Sequence, residues 1–578
     1  MEEKKLTGYP SIDKPWLKYY SEEAINSKVP ECTMYEYICN NNKEHLEDIA
    51  LIYFGRKISY KSLIATIDQT AAAFAALGIK RGDIVTIQAL TIPQVVYTIY
   101  ALSKLGAVAN LIYANSNAKA AKASVEETDS QVLVIMEPIY QALKVGLANA
   151  KLKKIIVMGI QDEMDFVSKS IYSIASKGQK IKSDKRVQSW SDFYATGKNT
   201  VAQSKGQSAD PAIMVYTGGT TGKSKAVVLS NYNINAGALQ YLHLGFERQN
   251  TMLCALPPFI AFGITVTLHT PLTFGLKTAL CVGADSTEIG GFVRKYKPNY
   301  IICGTVQAEK MMNALQDKKI DLSFLKCLSL GGDVLPKKLE DKLNEFLIAH
   351  NAKIRIAQGY AMSETSAATV ASTRTIDNTV YKIGTIGVPL VHTNIKIVDP
   401  ETGETLKYGH SGEICISGPC TMMEYYMHPK ETSNVLKMHD DGVMWVHTGD
   451  IGSVDEDGFI TISGRIKRMI LTFEKSVCHK VFPKLLENEY AKCTCIKAIS
   501  IVGRSRKDNT LVNDLIAFAV REDSVSETFA QGELRKFAEE HFESYERPVQ
   551  YVFLNQLPRT TIGKVDYMTL EKMANEFQ

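Results

Sequence analysis

The sequence predicts an α/β protein with a large N-terminal body of parallel-type sheets covered by helices, a β-rich subdomain and a small C-terminal α+β unit. Three observations predict this fold class. Helical and strand-like segments alternate between residues 56 and 134, which is typical of βαβ units in a parallel sheet. After about Asn394 the pattern changes to short alternating strands separated by glycine turns, which favours a β-rich subdomain. At 578 residues the chain is also too long for a single hydrophobic core.

The first alternating segments can be assigned in order. The segment ISYKSLIATIDQTAAAFAALGI has apolar residues at helical spacing and reaches a glycine, as helices often do. DIVTIQAL and QVLVIM are short apolar runs typical of buried strands. Between them, PQVVYTIYALSKLGAV begins with a proline, which the first turn of a helix accepts. The same alternation predicts further strands at residues 213–215, 300–302, 327–330 and 354–356.

The remaining segments differ in character. Residues from about 160 to 210 are polar, rich in lysine and serine and weakly periodic, so we expect a surface excursion or linker there. The β-rich part contains NIKIVDPETGE, GEICISG and DGFITISG, which alternate as half-buried strands do. Beyond Gly464 the chain carries strands of its own, IKAISIVG and DLIAFAV, and one helical segment, ETFAQGELRKFAEEHFE. This last part is expected to form a separate compact unit.

Composition and charge exclude several classes of protein. Hydrophobic residues make up 45% of the chain and charged residues 22%, which is ordinary for a globular protein and excludes a disordered or collagenous one. The 66 lysines and arginines nearly balance 62 acidic residues, without the basic excess typical of nucleic-acid-binding proteins. We therefore expect no nucleic-acid partner.

Cysteine usage and the absence of a leader pattern favour a cytoplasmic protein. The eleven cysteines show neither a disulfide framework nor zinc-site spacing, as expected for thiols in a reducing compartment. The start, MEEKKLTGYP, contains no apolar signal segment. Residues 251–276 lack charged side chains, but Pro257, Pro258 and Pro271 interrupt them. A buried strand and helix is therefore expected there, not a membrane span.

The segment AIMVYTGGTTGKSKAVVLS, residues 212–230, is the most informative in the chain. It places glycines, hydroxyl groups and lysines between two apolar strands, and this combination suits a polyphosphate because backbone N–H groups, hydroxyls and cations can converge on one anion. A Walker loop would require glycine where Thr217 stands and a helix where AVVLS predicts a strand. The Walker interpretation therefore fails, and a simple hairpin turn would not need so many hydroxyls and lysines.

Together with five later motifs, this segment resembles the adenylate-forming superfamily, which includes acyl-CoA synthetases, firefly luciferase and peptide-synthetase adenylation domains. Acyl-CoA synthetases are the members it resembles most. The motifs follow the family's order and span nearly the whole chain: YTGGTTGKSKAV from residue 216, GGDVLP from 331, QGYAMSE from 358, WVHTGD from 445, GRIK from 464 and LPRTTIGK from 557.

The resemblance implies a role for each matching residue. Lys564 is the catalytic lysine that bridges the acyl carboxylate and the α-phosphate, and Glu364 is the second catalytic residue and the Mg²⁺ ligand, a hard oxygen for a hard cation. Tyr360 stacks on adenine and Asp450 accepts the ribose hydroxyls. The implied ATP-binding residues are Thr217, Gly218, Gly219, Thr220, Thr221, Gly222, Lys225, Gly332, Gln358, Gly359, Tyr360, Ser363, Asp450 and Arg465. The implied acyl pocket is lined by Phe259, Ile260, Phe262, Gly304, Gly331 and Asp333.

The acyl-pocket region also limits the substrate class. Amino-acid-activating relatives place an aspartate here to pair with the substrate's ammonium group, but no aspartate occurs between Asn250 and Gly283. A buried ammonium without a partner would be strongly unfavourable. An uncharged apolar acid, either a fatty acid or an aryl acid, is therefore the expected substrate.

The resemblance also implies two domains and a hinge. Residues 1–466 form the domain with the ATP site and acyl pocket, residues 467–578 form a small mobile lid, and Lys467 is the pivot. Relatives follow the hinge with a glycine-containing loop that admits the pantetheine arm, whereas residues 470–483 contain no glycine and are longer by about three residues. Cys478 and His479 in this segment are interpreted as an exposed thiol and a chance neighbour.

These observations predict an ATP- and Mg²⁺-dependent acid–thiol ligase that forms an acyl-adenylate and transfers the acyl group to coenzyme A, releasing AMP and pyrophosphate. One alternative keeps the chemistry but delivers the acyl group to a carrier-protein phosphopantetheine thiol. A second alternative is a nucleotide-binding protein that has lost catalysis, against which the retained Lys225, Glu364, Asp450 and Lys564 argue. The sequence leaves the natural acid and the oligomeric state open.

Overall fold

The computed structural model describes residues 6–176, 181, 183–217, 224–242, 245–282, 288–316, 319–332, 335–366, 368–374, 379–474, 477–506, 512–560 and 564–576. The strands up to residue 389 are β1 Ile49–Tyr53, β2 Arg56–Ser59, β3 Ile84–Gln88, β4 Val108–Ile112, β5 Val132–Met136, β6 Lys154–Met158, β7 Val187–Ser189, β8 Pro211–Tyr216, β9 Ala226–Ser230, β10 Thr251–Cys254, β11 Lys277–Leu280, β12 Tyr300–Gly304, β13 Cys327–Gly331, β14 Ala357–Ala361, β15 Ala368–Ala371, β16 Thr373–Arg374, β17 Thr379–Val380 and β18 Val388–Pro389.

Helices connect and cover these strands. They are α1 Pro10–Asp13, α2 Glu22–Asn26, α3 Met34–Asn42, α4 Tyr60–Ala76, α5 Pro93–Leu105, α6 Ala118–Glu127, α7 Glu137–Leu143, α8 Phe166–Ser176, α9 Trp190–Ala195, α10 Asn231–Leu239, α11 Thr270–Thr273, α12 Ile289–Tyr296, α13 Thr305–Leu315 and α14 Lys337–Ala349. Short 3₁₀ helices cover Pro15–Tyr19, Ile160–Glu163 and Ser363–Thr365, and a π-helix covers Gly263–His269.

The rest of the chain is richer in strands. It contains β19 Asn394–Val398, β20 Gly412–Ser417, β21 Glu424–Tyr425, β22 Leu436–Met438, β23 Met444–Val454, β24 Ile460–Arg465, β25 Ile470–Glu474, β26 Val477–Val481, β27 Ile496–Ser505, β28 Asn513–Arg521 and β29 Gln550–Phe553. The helices here are α15 Pro429–Val435, α16 Pro483–Tyr490, α17 Glu527–His541 and α18 Tyr567–Glu576, with 3₁₀ turns at Ile466–Arg468 and Ser544–Glu546.

Two large sheets form the N-terminal body. One has the strand order β21-β9-β8-β4-β3-β5-β6-β7, and the other has the order β18-β15-β14-β13-β12-β10-β11-β1-β2. Their central strands run parallel, and antiparallel pairs occur toward the ends: β8 with β9, β9 with β21, β14 with β15, β15 with β18 and β1 with β2. The parallel α/β body predicted from the sequence is therefore confirmed.

Helix α5 shows how local sequence places an element in this body. Pro93 lies in its first turn, and the helix ends at Gly106, whose φ of +73° is left-handed and suits glycine. Nearly every residue of α5 is buried, as expected for a helix that is apolar around most of its circumference. It belongs to one apolar cluster that also contains residues of α3, α4 and both sheets.

The predicted buried strand and helix at residues 251–276 is present as β10 followed by the π-helix and α11. Inside this helical segment His269 is fully buried between Tyr100, whose Oη lies 2.9 Å from Nδ1, and Asn235, whose Oδ1 lies 3.0 Å from Nε2. Burial lowers the pKa of His269 to about 3, so the ring is neutral. Among the described residues, none of the helices combines the length and apolar character needed to cross a bilayer.

The β-rich part and the C-terminal part follow the predicted order. Strands β19, β20, β23 and β22 form an antiparallel sheet, with β24 paired to β23. The C-terminal part contains the sheet β27-β28-β29, the two-stranded β25–β26 and helices α16 to α18. Its apolar cluster includes Leu486, Tyr490, Leu515 and Leu534, all within this part of the chain. The boundary between residues 466 and 467 stays a prediction.

Two local predictions were wrong. Residues 160–210 are not a linker, because they contribute α8, the edge strand β7 and α9, and α9 buries Trp190 and Phe193. The strand expected at 354–356 begins at Ala357 instead. Within residues 470–483, β25 and β26 pair as a hairpin, Cys478 is exposed as expected, and His479 stacks on Tyr545 with ring centroids 3.9 Å apart.

Candidate active site

Three glycines lie side by side on neighbouring parallel strands, two of them at carboxyl ends. Gly304 ends β12 beside Gly331, which ends β13, and Gly331 is paired in turn with Gly359 of β14. A Cβ on Gly331 would lie 3.1 Å from the Gly359 carbonyl oxygen and 3.3 Å from the Phe262 ring. The row therefore leaves a surface without side chains at the edge of the sheet where open α/β proteins bind ligands.

An apolar wall stands beside these glycines. Phe262 is buried and packs in one cluster with Ile260, Val266 and Tyr241. Phe259 meets the Tyr113 ring edge-on, with centroids 5.3 Å apart. The π-helix that follows begins at Gly263, where a Cβ would lie only 2.1 Å from the Pro257 carbonyl oxygen. Glycine at 263 therefore allows the tight approach that places Phe262 against the glycine row.

Asp450 lies at the centre of the polar part of the site. The Tyr360 hydroxyl donates to its Oδ2 at 2.6 Å, and Arg465 Nε lies 2.7 Å from its Oδ1. Asp450 and Arg465 are paired across β23 and β24, which fixes this contact by strand register. Burial raises the pKa of Asp450, while Arg465, the Tyr360 hydroxyl and Lys564 all favour the ionised form.

Glu364 lies in the 3₁₀ turn after β14 and is held from two sides. Its backbone carbonyl accepts from the Met422 N–H at 2.8 Å, and its Oε1 accepts from the Tyr425 hydroxyl at 2.6 Å. Lys225 lies over the Tyr425 ring, with Nζ 4.3 Å from the centroid. Tyr425 therefore links the predicted lysine of the phosphate loop to the predicted metal ligand.

The predicted phosphate loop begins and ends on a hairpin. Strand β8 leads into Thr217, β9 follows Lys225, and the two strands are antiparallel. The Thr217 N–H donates to the Lys225 carbonyl at 3.0 Å, and the Ser224 hydroxyl donates to the Thr217 carbonyl at 2.5 Å. A Walker loop is followed by a helix, whereas this loop is followed by strand β9, so the Walker interpretation is rejected, as the sequence predicted. Six of the predicted site residues lie outside the described part of the chain: Gly218, Gly219, Thr220, Thr221, Gly222 and Asp333.

Lys564 approaches from the C-terminal part. A bridge between Arg559 and Val565 and a hydrogen bond from the Thr560 N–H to the Lys564 carbonyl at 2.7 Å close the turn that carries it. The Lys564 side chain is exposed, and its charge acts on the buried Asp450. Lys564 is 114 positions beyond Asp450 in the sequence. The fold nevertheless places it near enough for its charge to act on this predicted ribose-binding residue.

The predicted hinge lies between two anchored arginines. Arg465 is tied to Asp450 of the body. Arg468 is tied to the C-terminal part, since its Nη2 lies 2.8 Å from Glu487 Oε1 and its guanidinium lies 3.5 Å from the Tyr567 ring centroid. Ile466 and Lys467 are the two residues between these anchors, and Lys467 is exposed.

The structure therefore brings together Lys225, Tyr360, Glu364, Asp450, Arg465 and Lys564. Gln358 and Gly359 lie on β14, Ser363 opens the turn that carries Glu364, and Gly332 follows β13 with a left-handed φ of +86°. Tyr425 is the residue that the sequence analysis missed. It reaches the site because β21 pairs with β9 through Tyr425 and Val227, which no local motif reveals.

Comparison with solved structures defines the class of fold. An ATP-bound RpMatB-BxBclM chimera superimposes with a TM-score of 0.80 at 20% identity, covering 95% of this chain and 99% of the other. This chain therefore shares the fold of that ATP-bound protein, a large mixed α/β body with a smaller C-terminal part, as the sequence predicted.

Sequence comparison then defines the family. A family model described as "AMP-binding enzyme" matches residues 39–426, and one described as "AMP-binding enzyme C-terminal domain" matches residues 485–564. The long-chain-fatty-acid–CoA ligase of Bacillus subtilis is 26% identical over 569 residues, covering 96% of both chains. The 4-coumarate–CoA ligase 4 of Arabidopsis thaliana is 26% identical over 522 residues, covering 88% of this chain and 85% of its own. The chain belongs to the AMP-binding, adenylate-forming enzymes.

Proposed function

We propose that this protein uses ATP to activate an apolar fatty or aryl acid as an acyl-adenylate and then transfers the acyl group to coenzyme A. The observation that carries the proposal is the convergence of Lys225, Arg465 and Lys564 with Glu364 and Asp450 at the carboxyl ends of the parallel strands, beside an uncharged wall. The CoA ligases among its relatives support the same class of reaction.

The first half-reaction requires stabilisation of developing charge and not covalent catalysis by the protein. A carboxylate oxygen of the acid attacks the α-phosphorus, the bond to the β-phosphate oxygen breaks, and pyrophosphate leaves. Negative charge spreads over the α-phosphoryl oxygens, so positioned cations are the main requirement. Lys564 is proposed to stabilise that charge together with the incoming carboxylate, and Lys225 to bind the phosphates.

The remaining polar groups are proposed to orient the nucleotide. Asp450 offers a carboxylate to the ribose hydroxyls, and the Tyr360 ring offers an aromatic face to the base. Glu364 suits Mg²⁺, because a single carboxylate beside substrate phosphates is a common magnesium site. When bound, Mg²⁺ would neutralise phosphate charge, and Tyr425 would keep the Glu364 carboxylate turned toward it.

The second half-reaction exchanges an oxygen ester for a thioester. The thiol of coenzyme A loses its proton, its sulfur attacks the acyl carbonyl carbon, and AMP leaves. Rotation about Lys467 is proposed to remove Lys564 and bring the β25–β26 hairpin to the site. That hairpin lacks glycine, and this observation supports the second candidate, a carrier-protein phosphopantetheine thiol as acceptor.

The decisive experiment is a panel of acids scored for pyrophosphate release. It contains medium- and long-chain fatty acids, aryl acids, and the matched pair 3-phenylpropanoate and phenylalanine, which differ by one ammonium group. We expect release with apolar acids and none with phenylalanine. Product analysis with coenzyme A and with a phosphopantetheinylated carrier protein then identifies the acceptor. Failure of every acid to release pyrophosphate would support the alternative of a nucleotide-binding protein without catalysis.

A further inference from the structure

A second cluster of reactive side chains lies in the β-rich sheet. Cys415, His439 and His447 each place one ligand atom within 4.8 Å of the other two. The Nε2 atoms of the two histidines are 2.9 Å apart. Cys415 is fully buried, and the His447 side chain is 11% exposed. None of these residues has a role in the proposed adenylation chemistry.

Strand register assembles this cluster. Cys415 of β20 is paired with His447 of β23, so their side chains lie on the same face of the sheet. His439 follows β22 in the turn that leads to β23. Two hydrogen bonds fix this turn, from the His439 N–H to the Val443 carbonyl at 3.1 Å and from the Gly442 N–H to the His439 carbonyl at 2.9 Å. The three side chains are therefore brought together by rigid backbone.

Glu413 orients one of the imidazoles. His447 Nδ1 lies 2.7 Å from Glu413 Oε2, while Glu413 Oε1 accepts from the Gly449 N–H at 2.9 Å. With its Nδ1 proton donated to Glu413, His447 presents an Nε2 lone pair toward His439. A carboxylate behind a histidine is the arrangement that orients many zinc-binding histidines.

We propose that Cys415, His439 and His447 bind a zinc ion, with solvent supplying the fourth ligand. One thiolate and two imidazoles form a ligand set that zinc accepts in tetrahedral geometry. Bonds of about 2.0–2.1 Å place two zinc-bound nitrogens about 3.3 Å apart, so the two Nε2 atoms need to separate by only a few tenths of an ångström. His439 can make this adjustment by a small rotation of its side chain, which is only partly buried.

The surrounding charges suit a bound divalent cation. Burial and the nearby Glu413 raise the pKa of the Cys415 thiol, and the ammonium of Lys396, which is paired with Cys415 across β19 and β20, acts in the opposite direction. That ammonium also lies 3.4 Å from His439 Nδ1, but its stronger partner is Asp441 Oδ2 at 2.5 Å. When His439 gives Nε2 to the metal, its proton moves to Nδ1, so Lys396 loses its contact with His439 and keeps its ion pair with Asp441. Zinc and thiolate together add one positive charge beside Glu413 and Asp441.

A metal here would brace the strand that carries Asp450. His447 lies three residues before Asp450 on β23, and Glu413 contacts both His447 and the Gly449 N–H. The zinc would thus fix the backbone immediately before the predicted ribose-binding carboxylate. Because the proposed ligands lie on β20, on β23 and in the turn before β23, and not at the carboxyl ends of β12 and β13, the metal would act on the position of the backbone and not on the adenylation chemistry.

Cobalt titration of the untagged full-length protein, stripped of metal with a chelator and desalted, tests the proposal. We expect one equivalent of Co²⁺ to bind with tetrahedral d–d bands and a sulfur-to-cobalt charge-transfer band, and Zn²⁺ to displace it. Cys415→Ser should abolish the charge-transfer band. Its matched control, Cys478→Ser, removes an exposed thiol elsewhere and should leave the spectrum unchanged.

His439→Ala provides a second variant that leaves the buried sheet intact. It should weaken Zn²⁺ binding by more than the roughly 10- to 100-fold that loss of an outer-shell partner causes. Metal-free thermal unfolding verifies that each variant is folded, and His439→Ala decides the question if Cys415→Ser does not fold. The proposal is overturned if wild type gives no charge-transfer band, or if metal binding is the same in His439→Ala as in wild type.

Discussion

Tyr425→Phe tests the contact that the sequence did not reveal. The substitution removes the hydroxyl that donates to Glu364 Oε1 at 2.6 Å. It keeps the ring beneath Lys225, 4.3 Å from Nζ, and the pairing of Tyr425 with Val227. One hydrogen bond to a carboxylate is therefore lost without a change in packing.

The size of the effect follows from the type of hydrogen bond. A hydrogen bond to a charged group contributes about 1.5–3 kcal/mol, and about 1.4 kcal/mol corresponds to a tenfold change in rate. Tyr425 is 3% exposed, so water replaces the lost hydroxyl poorly. If the hydroxyl orients Glu364 for the transition state, kcat/KM for ATP should fall by about 10- to 150-fold.

The assay is pyrophosphate release at saturating acid, with ATP and Mg²⁺ each varied. Tyr425→Phe should lower kcat/KM for ATP and raise the Mg²⁺ midpoint, because Glu364 is no longer held toward the metal. Tyr426→Phe is the matched control, since its side chain packs against the Val108, Met214 and Val228 cluster. A positioning role for this hydroxyl would be refuted if kcat/KM for ATP of Tyr425→Phe stayed within threefold of the wild-type value. It would also be refuted if Tyr425→Phe and Tyr426→Phe lost kcat/KM equally.

Three further predictions concern the proposed catalytic lysine, the proposed metal and phosphate ligands, and the proposed hinge. Lys564→Ala should reduce adenylation by about 10²- to 10³-fold, the cost of removing one positioned donor, and premade acyl-adenylate should restore product formation; unchanged pyrophosphate exchange would reject this lysine. Glu364→Gln should shift the Mg²⁺ midpoint in a metal titration, whereas Lys225→Ala should weaken ATP turnover at an unchanged midpoint; identical midpoints for Glu364→Gln and wild type would remove the metal assignment. Lys467→Pro should spare adenylation and slow thioester formation in stopped-flow measurements of each step, because proline restricts the pivot; equal losses in both steps would argue against a hinge at this residue.

Local motifs were the part of the site that the sequence could predict. Lys225, Glu364, Asp450 and Lys564 each stand in a short segment whose glycines, hydroxyls and spacing are visible without a structure. The structure brings these residues to one centre. Their predicted roles in nucleotide and metal binding await the experiments above.

Contacts made by strand pairing could not be predicted in this way. Tyr425 is separated from Glu364 by 61 positions and reaches it only because β21 adds to β9. Cys415 is a free, buried cysteine, and its place in a short apolar run favours a thiol of the core. His447 comes from another strand and His439 from the turn before that strand, at a spacing that matches no metal motif, so only the folded chain reveals the cluster.

The error at residues 160–210 has a different cause. The segment is polar overall, and hydrophobic periodicity is too weak to mark a strand of three residues. Trp190 and Phe193 nevertheless anchor α9, with ring centroids 5.5 Å apart, and Phe193 lies 4.7 Å from the Phe74 ring of α4. Two buried aromatic side chains were enough to dock a segment whose average composition resembles a surface loop.

The glycine row of β12, β13 and β14 is most constrained at its centre, Gly331. At Gly331 a methyl group would press on both the Gly359 carbonyl and the Phe262 ring. At Gly304, among the residues that the structure describes and apart from the adjacent ones, such a methyl group would meet only Gln307 Oε1 within 4 Å, at 3.5 Å. Both residues have backbone conformations open to other amino acids, since neither has a positive φ. Substitution at Gly304 can therefore shorten the adjoining space without disturbing the sheet, while Gly331 is constrained by its neighbours. In the proposed acyl pocket, related proteins that accept acids of different size would then differ at residue 304 before they differ at residue 331.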